Sequence, residues 1–330
     1  MRRKRRKRKM LRNIVIVLSL IGLLVIGGVT WYISDKLTEV FTDDEQLERG
    51  DKSALRQEGV SPSKDNFSVL LLGDDARPGE SGARTDAILV ATFNKDEHSI
   101  YLTSIPRDMR VEIVGKSELD KINHAYAFGG IDMAINTVEQ FLDIPIDYYS
   151  VINFNGLVEI VDALGGIDVD VQLDFREKTP SGEYVQFQKG TQHLNGDAAL
   201  AYSRMRKHPE GGGDRGRGQR QQQVIEAMIN KAGGFTTITK FDEILDSIGD
   251  NIRTNLSFPN LISLQGYAKS LSQIEMIQLQ GDDARIDNIY YMIPYEDNVY
   301  EVQDMLKRHL GLAVQSADDS NELTSDDFSN

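Results

Sequence analysis

Residues 67–108 read FSVLLLGDDARPGESGARTDAILVATFNKDEHSIYLTSIPRD. Residues 67–72 form a short apolar run that stops at Gly73, which is the length and flanking of a buried strand. Residues 87–93 and 99–105 repeat the signature, and the polar turn Asn94-Lys95-Asp96-Glu97 separates them. Downstream the period changes. Ile131, Ala134, Ile135, Val138, Phe141 and Leu142 fall on one helical face behind a Gly129-Gly130 turn. Strands are predicted at 148–154 and 167–171, on either side of a helix at 157–164 closed by Gly165-Gly166. Helices at 197–206 and 219–232 are separated by the loop His208-Pro209-Glu210-Gly211-Gly212-Gly213. Further helices are predicted near 241–248, 260–271 and 297–309, and strands near 276–280 and 290–293. The mixture reads as one α/β domain over 67–312, with a mixed central sheet and helices on its faces.

Upstream of this domain the chain changes character. Nine of the first twelve residues are Lys or Arg, and 14–33 then runs for twenty residues without a charge. A helix of that length spans about 30 Å, the thickness of a bilayer hydrocarbon core. A cleaved signal would carry a shorter apolar run and a small-residue cleavage site, and Val29-Thr30-Trp31-Tyr32 offers none. Residues 13–34 are therefore expected to be a transmembrane signal-anchor, with Trp31 and Tyr32 at its outer interface. The basic tail, 1–12, is expected to stay in the cytoplasm, which makes a single-pass type II protein of the cell membrane with its domain outside. Residues 35–66 read as a polar stalk, and 313–330 as an acidic, disordered tail.

Charge and composition exclude several classes. Setting aside the nine N-terminal cations leaves 28 Lys and Arg against 51 Asp and Glu, a net −23. A body that acidic does not bind nucleic acid through its overall field, so an anionic ligand needs a local arginine cluster. The basic tail beside an apolar span is better read as a topology signal that meets anionic lipid. There is no cysteine, so disulfides and thiol chemistry are excluded. The five histidines are scattered without zinc-binding spacing, no G-x-S-x-G elbow occurs, and Gly211-Gly212-Gly213 lacks the Lys-Ser/Thr of a P-loop.

Arg and Asp at the ends of predicted strands remain. Asp74, Asp75 and Arg77 follow the first strand, Arg84-Thr85-Asp86 opens the second, and Arg107-Asp108 ends the third. Arg204, Arg206, Asp214, Arg217 and Arg220-Gln221 come later. Ligands of open α/β sheets sit outside strand ends. Arginine forks match phosphate oxygens, and carboxylates with phosphate make a normal Mg²⁺ shell. Residue types and spacing leave two readings open, a phosphate site or solvated loop charges in surface pairs.

In order, the blocks are Leu70-Leu71-Leu72-Gly73 with Asp75 and Arg77; Arg84-Thr85-Asp86; Ser104-Ile105-Pro106-Arg107-Asp108; Lys121-Ile122-Asn123-His124-Ala125-Tyr126; Leu194-Asn195-Gly196-Asp197-Ala198; and Tyr202 through Gln222. This order resembles the LytR-CpsA-Psr family of Gram-positive cell walls, over nearly the whole chain to about Leu312. The resemblance implies an α-β-α sandwich that moves a glycopolymer, wall teichoic acid by leaning, from a polyprenyl-pyrophosphate carrier to a muramic acid hydroxyl of peptidoglycan. By position, Asp75 and Asp86 would hold Mg²⁺, and either could serve as the base. Arg77, Arg84, Arg107, Arg204, Arg206, Arg217 and Gln221 would surround the pyrophosphate, with Asp75, Asp86 and Arg107 as the catalytic set. A polyprenyl-pyrophosphate phosphatase, or a non-catalytic lipid-pyrophosphate-binding regulator, would use the same residues.

Overall fold

The computed structural model describes residues 47–50, 52–74, 85–233, 251–267, 270 and 274–313. The expected anchor, the first part of the stalk, the acidic tail beyond 313 and the helix near 241–248 lie outside the described residues. Among the described residues, no helix is long and apolar enough to cross a membrane.

The opening stretch forms an antiparallel meander of β1 (Phe67–Asp74), β2 (Thr85–Asn94) and β3 (Ser99–Ser104). From β3 the chain makes the small hairpin β4 (Arg110–Ile113) and β5 (Glu118–Lys121), then the helix α1 (His124–Leu142). It returns as β6 (Tyr148–Asn153), parallel to β1. Helix α2 (Phe154–Ala163) follows, capped by Asn153, whose side chain accepts from the Gly156 N–H. It ends in a Schellman turn: Gly166 N–H reaches Val161 O at 2.8 Å, with Gly165 and Gly166 at φ +73° and +87°.

A satellite of short strands comes next. Strand β7 (Ile167–Val171) pairs with β10 (Gly190–Leu194), and β8 (Phe175–Lys178) with β9 (Tyr184–Phe187). Helices α3 (Gly196–Arg204) and α4 (Gly213–Gly233) lead back to the sheet. There β11 (Ile252–Thr254) lies antiparallel to β6. After the short helix α5 (Phe258–Ser263), β12 (Glu275–Gln278) joins parallel to β3. The hairpin β13 (Gly281–Ile286) and β14 (Ile289–Pro294) and the helix α6 (Glu296–His309) complete the domain. The sheet runs β11-β6-β1-β2-β3-β12, mixed in direction as the sequence predicts.

Side chains of β2 alternate between the two faces of the sheet, and both faces are covered, which explains the layering. Ile88 and Val90 point into one core with α1 and α6, built around Leu70, Ile135, Leu142 and Leu306. Leu89 and Ala91 point the other way, onto Ile225 and Ile229 of α4. A third cluster, Phe67, Val69 and Tyr267, lies beneath α5. Each fully buried Leu or Ile in these layers contributes about 2 kcal/mol, so the strand triplet is anchored on both faces.

Several expectations are corrected. The second half of the presumed stalk packs on the body. Leu47 joins the core, Arg49 and Ser53 bind Glu139 at 2.8 and 2.6 Å, and the Arg56 fork grips Asp147 at 2.8 and 3.0 Å. Polar composition concealed this, because the docking is made by ion pairs. Helix α4 begins at Gly213, six residues before the predicted start. The predicted helix at 260–271 is instead α5 followed by a 3-10 turn at Leu264–Tyr267. At Gly129 and Gly130 the backbone leaves helical angles, so α1 contains an additional turn, 124–128, before the expected apolar face.

Candidate active site

Asp86 is the second residue of β2, and Arg107 lies in the turn just past β3, where Met109 N–H closes on Pro106 O at 2.9 Å. Antiparallel pairing of these neighbouring strands brings the two side chains together, and Arg107 Nη1 binds Asp86 Oδ1. Arg107 Nε stands 3.3 Å from Asp108 Oδ2, and Asp108 Oδ1 accepts from Lys121 Nζ at 2.7 Å. Acid, base, acid and base thus alternate along one line. The Lys121 ammonium also faces the rings of Tyr290 and Tyr291, 5.8 and 5.7 Å from their centroids. Nearby, burial works against charge on Asp120, but bonds from the His124 ring at 2.7 Å and the Lys121 N–H outweigh it. The Asp120 carboxyl is therefore held below its ordinary range.

Helix α4 supplies the opposite wall. Arg217 and Gln221 are one turn apart and face the Asp86–Arg107 pair across a cleft of about 730 Å³, counting space open to solvent. Gln278 of β12 and Asp283 and Tyr290 of the hairpin complete its rim, with Tyr290 Oη donating to Asp283 at 2.7 Å. The helix can start close to this cleft because of a glycine contact. A Cβ on Gly216 would stand 1.9 Å from Gly211 O, and buried Arg220 ties that same carbonyl at 3.0 Å.

A second, apolar cavity of about 880 Å³ opens from the same place. Leu71, Leu89, Ile152, Leu157, Ile225 and Met228 line it, between the sheet and helices α2 and α4. Asp86, Ala87 and Gln221 border both cavities, so the charged cleft is the mouth of the apolar groove.

Of the residues singled out in the sequence, Asp86, Arg107, Arg217 and Gln221 line one cleft. Arg204, the last residue of α3, and Arg206, just past it, are exposed and are not part of that lining; the Arg204 guanidinium sits 4.7 Å from the ring of Phe154, which lines the groove. Asp75, Arg77 and Arg84 lie outside the described residues. Sequence reasoning missed Asp283 and Tyr290, whose only signal was the Asp287-Asn288 hairpin turn, with both residues at positive φ. It also missed Arg253 on β11, which reaches Tyr126 Oη and stands 3.3 Å from buried Asp74.

The donor chemistry suits Mg²⁺. Asp86 offers hard carboxylate oxygens to the cleft, one of them bound by Arg107, and Mg²⁺ commonly takes one or two carboxylates and completes its shell with phosphate and water. Among the described residues, no three His, Cys, Asp or Glu gather as a metal-binding group.

The LytR_cpsA_psr family model matches residues 31–308. The chain belongs to this family. A relative from Halalkalibacterium halodurans, polyisoprenyl-teichoic acid--peptidoglycan teichoic acid transferase TagU, is 43% identical over 309 residues, covering 93% of this chain and all of the relative. Among solved structures, TagT bound to LI-WTA is 38% identical with a TM-score of 0.68, covering 81% of this chain and all of that one. The LytR-CPS2A-psr family protein YwtF (TagT) with bound octaprenyl pyrophosphate lipid is 36% identical with a TM-score of 0.64, with the same coverage. The mixed α/β architecture described above is the fold these family structures share.

Proposed function

We propose that this protein transfers an anionic glycopolymer of the teichoic acid class from a polyprenyl-pyrophosphate carrier to a hydroxyl of peptidoglycan. One observation carries the reading: the charged cleft and the apolar groove share Asp86 and Gln221 at their junction. A ligand with a long hydrocarbon tail and a phosphate head fits an apolar groove with a charged mouth. The names of the relatives support the same reaction and substrate class. The apolar run at 14–33 and its basic flank are assigned as a membrane anchor, with the domain on the outer side, where lipid carrier and peptidoglycan meet.

In the proposed reaction, the acceptor oxygen attacks the glycan-bearing phosphorus. A new O–P bond forms, the bridging P–O bond breaks, and its electron pair leaves with polyprenyl phosphate. The acceptor proton passes to Asp86. Arg107 and Arg217, on opposite walls, compensate the charge gathering on the phosphate oxygens, and this preorganised compensation is the main source of rate. Asp108 and Lys121 hold Arg107 from behind. A Mg²⁺ ion held by Asp86, with Asp75, would add neutralising charge on the pyrophosphate.

The test incubates full-length protein in detergent with a labelled polyprenyl-pyrophosphate glycan, Mg²⁺ and uncrosslinked peptidoglycan. Label entering the peptidoglycan, and lost with Arg107→Ala or with chelator, is expected. Soluble labelled glycan alone would indicate a phosphatase, and bound, unreacted donor a sensor.

A further inference from the structure

A third cleft, of about 1020 Å³, lies on the far side of α4 from the apolar groove, between that helix, the satellite strands and β12. Its lining is rich in amides, with Gln172, Gln219, Gln222, Gln223 and Gln278. Among the described lining residues the cation is Arg220, which is buried and directs its guanidinium to the carbonyls of Gly211 at 3.0 Å and Met205 at 2.5 Å. Gln223 is oriented from behind, its carbonyl accepting from Tyr202 Oη at 2.6 Å, and Gln172 is held by Asp170 at 2.8 Å. The cleft joins the reaction site directly, because Gln222 and Gln278 line both.

Resting on the transferase reading above, we propose that this amide-lined cleft binds the acceptor glycan strand through its hydroxyl and acetamido groups. A glutamine side chain offers both a carbonyl acceptor and amide donors, which matches sugar hydroxyls and N-acetyl groups in either direction. Among the described lining residues, a polyphosphate would meet Glu210 and Glu226, with the Arg220 guanidinium already spent on backbone carbonyls. Donor and acceptor are thereby sorted by chemistry on the two sides of a single helix. The tail lies in the apolar groove against Ile225 and Met228, the phosphates lie at Arg217 and Gln221, and the strand lies against Gln219 and Gln223. A sugar leaving this cleft past Gln222 points its hydroxyl toward the Asp86 side.

The test measures binding rather than turnover. A soluble, uncrosslinked peptidoglycan glycan oligomer is titrated into full-length protein in detergent, without donor, for wild type and for Gln172→Ala/Gln219→Ala. Both substitutions fall at the rim, and a melt checks that the fold is kept. Loss of two neutral hydrogen bonds should weaken oligomer binding by about tenfold while affinity for the lipid donor is unchanged. Ile225→Asp should do the reverse. Oligomer binding that is absent in wild type, or equal in wild type and the double variant, overturns the proposal; so does a parallel loss of donor affinity. If oligomer binding depends on the two glutamines but the donor is only hydrolysed, the cleft assignment stands and the transferase reading fails.

Discussion

Replacing Arg107 with lysine keeps the charge and removes the fork. In the structure one guanidinium serves two carboxylates at once, Asp86 through Nη1 and Asp108 at 3.3 Å from Nε. A lysine ammonium is a point charge on a flexible stem and cannot hold both geometries. Charge-assisted hydrogen bonds contribute about 1.5–3 kcal/mol, and these side chains are about one-fifth exposed, so the lower end, about 1.5 kcal/mol, is expected for stability. For a domain of this size that lowers Tm by about 3–6 °C. The rate effect is larger, because misaiming a charge that compensates a transferring phosphate costs about 10²–10³ in kcat. The assay is a double-mutant cycle with Asp86→Asn, read by transfer rate and by melting. The singles should overlap, making the double variant less damaging than their product by about 1 kcal/mol or more. Additive effects, or Arg107→Lys within threefold of wild-type kcat, would refute the argument that this pair works as a unit.

Other consequences are open to measurement. Ile225→Asp places a carboxylate in the apolar groove, so KM for a long-chain donor should rise at least tenfold while a short-chain donor is little affected; equal losses for both would place the tail elsewhere. Gly216→Ala should destabilise the domain by more than about 2 kcal/mol, because the new Cβ meets Gly211 O, whereas Gly218→Ala, with nothing within 4 Å, should leave Tm unchanged or raise it. Burial pushes His309 down to about 4, despite nearby Glu97; the ring is stacked on Tyr101 and bonded to Thr92 and Ser99 at 2.8 Å each. A depressed folded value means this neutral histidine's contribution is complete above about pH 6.5 and is lost as pH falls through about 4. Denaturation curves between those limits should lose at most about 3 kcal/mol from this residue, and His309→Gln should flatten that slope.

The central strands were legible because each carries an uninterrupted apolar run between polar turns, and β2 is buried on both faces. The pairing of Asp86 with Arg107 was implicit in the same stretch, since adjacent antiparallel strands bring the start of one beside the end of the next. Of the satellite strands, Ile167–Val171 was legible behind its Gly165-Gly166 turn, and the others were not. Phe175–Lys178 and Tyr184–Phe187 are four residues long and half exposed, too short for a period to emerge. The early start of α4 was hidden by its glycines, which read as loop although Gly216 is required by a close backbone approach. Asp283, Tyr290 and Arg253 reach the site region by long-range topology, and no local pattern announces that. The docking of Arg49, Ser53 and Arg56 escaped for a related reason, because polar latches resemble solvated linker.

Mass spectrometry of the peptidoglycan product tests the central claim most directly. After reaction with a defined polyprenyl-pyrophosphate glycan and muramidase digestion, the account predicts muropeptides carrying the intact glycan through one phosphate, with polyprenyl phosphate released in equal amount. Unmodified muropeptides beside free phosphorylated glycan would mean that water is the acceptor, and the proposed transfer would be contradicted.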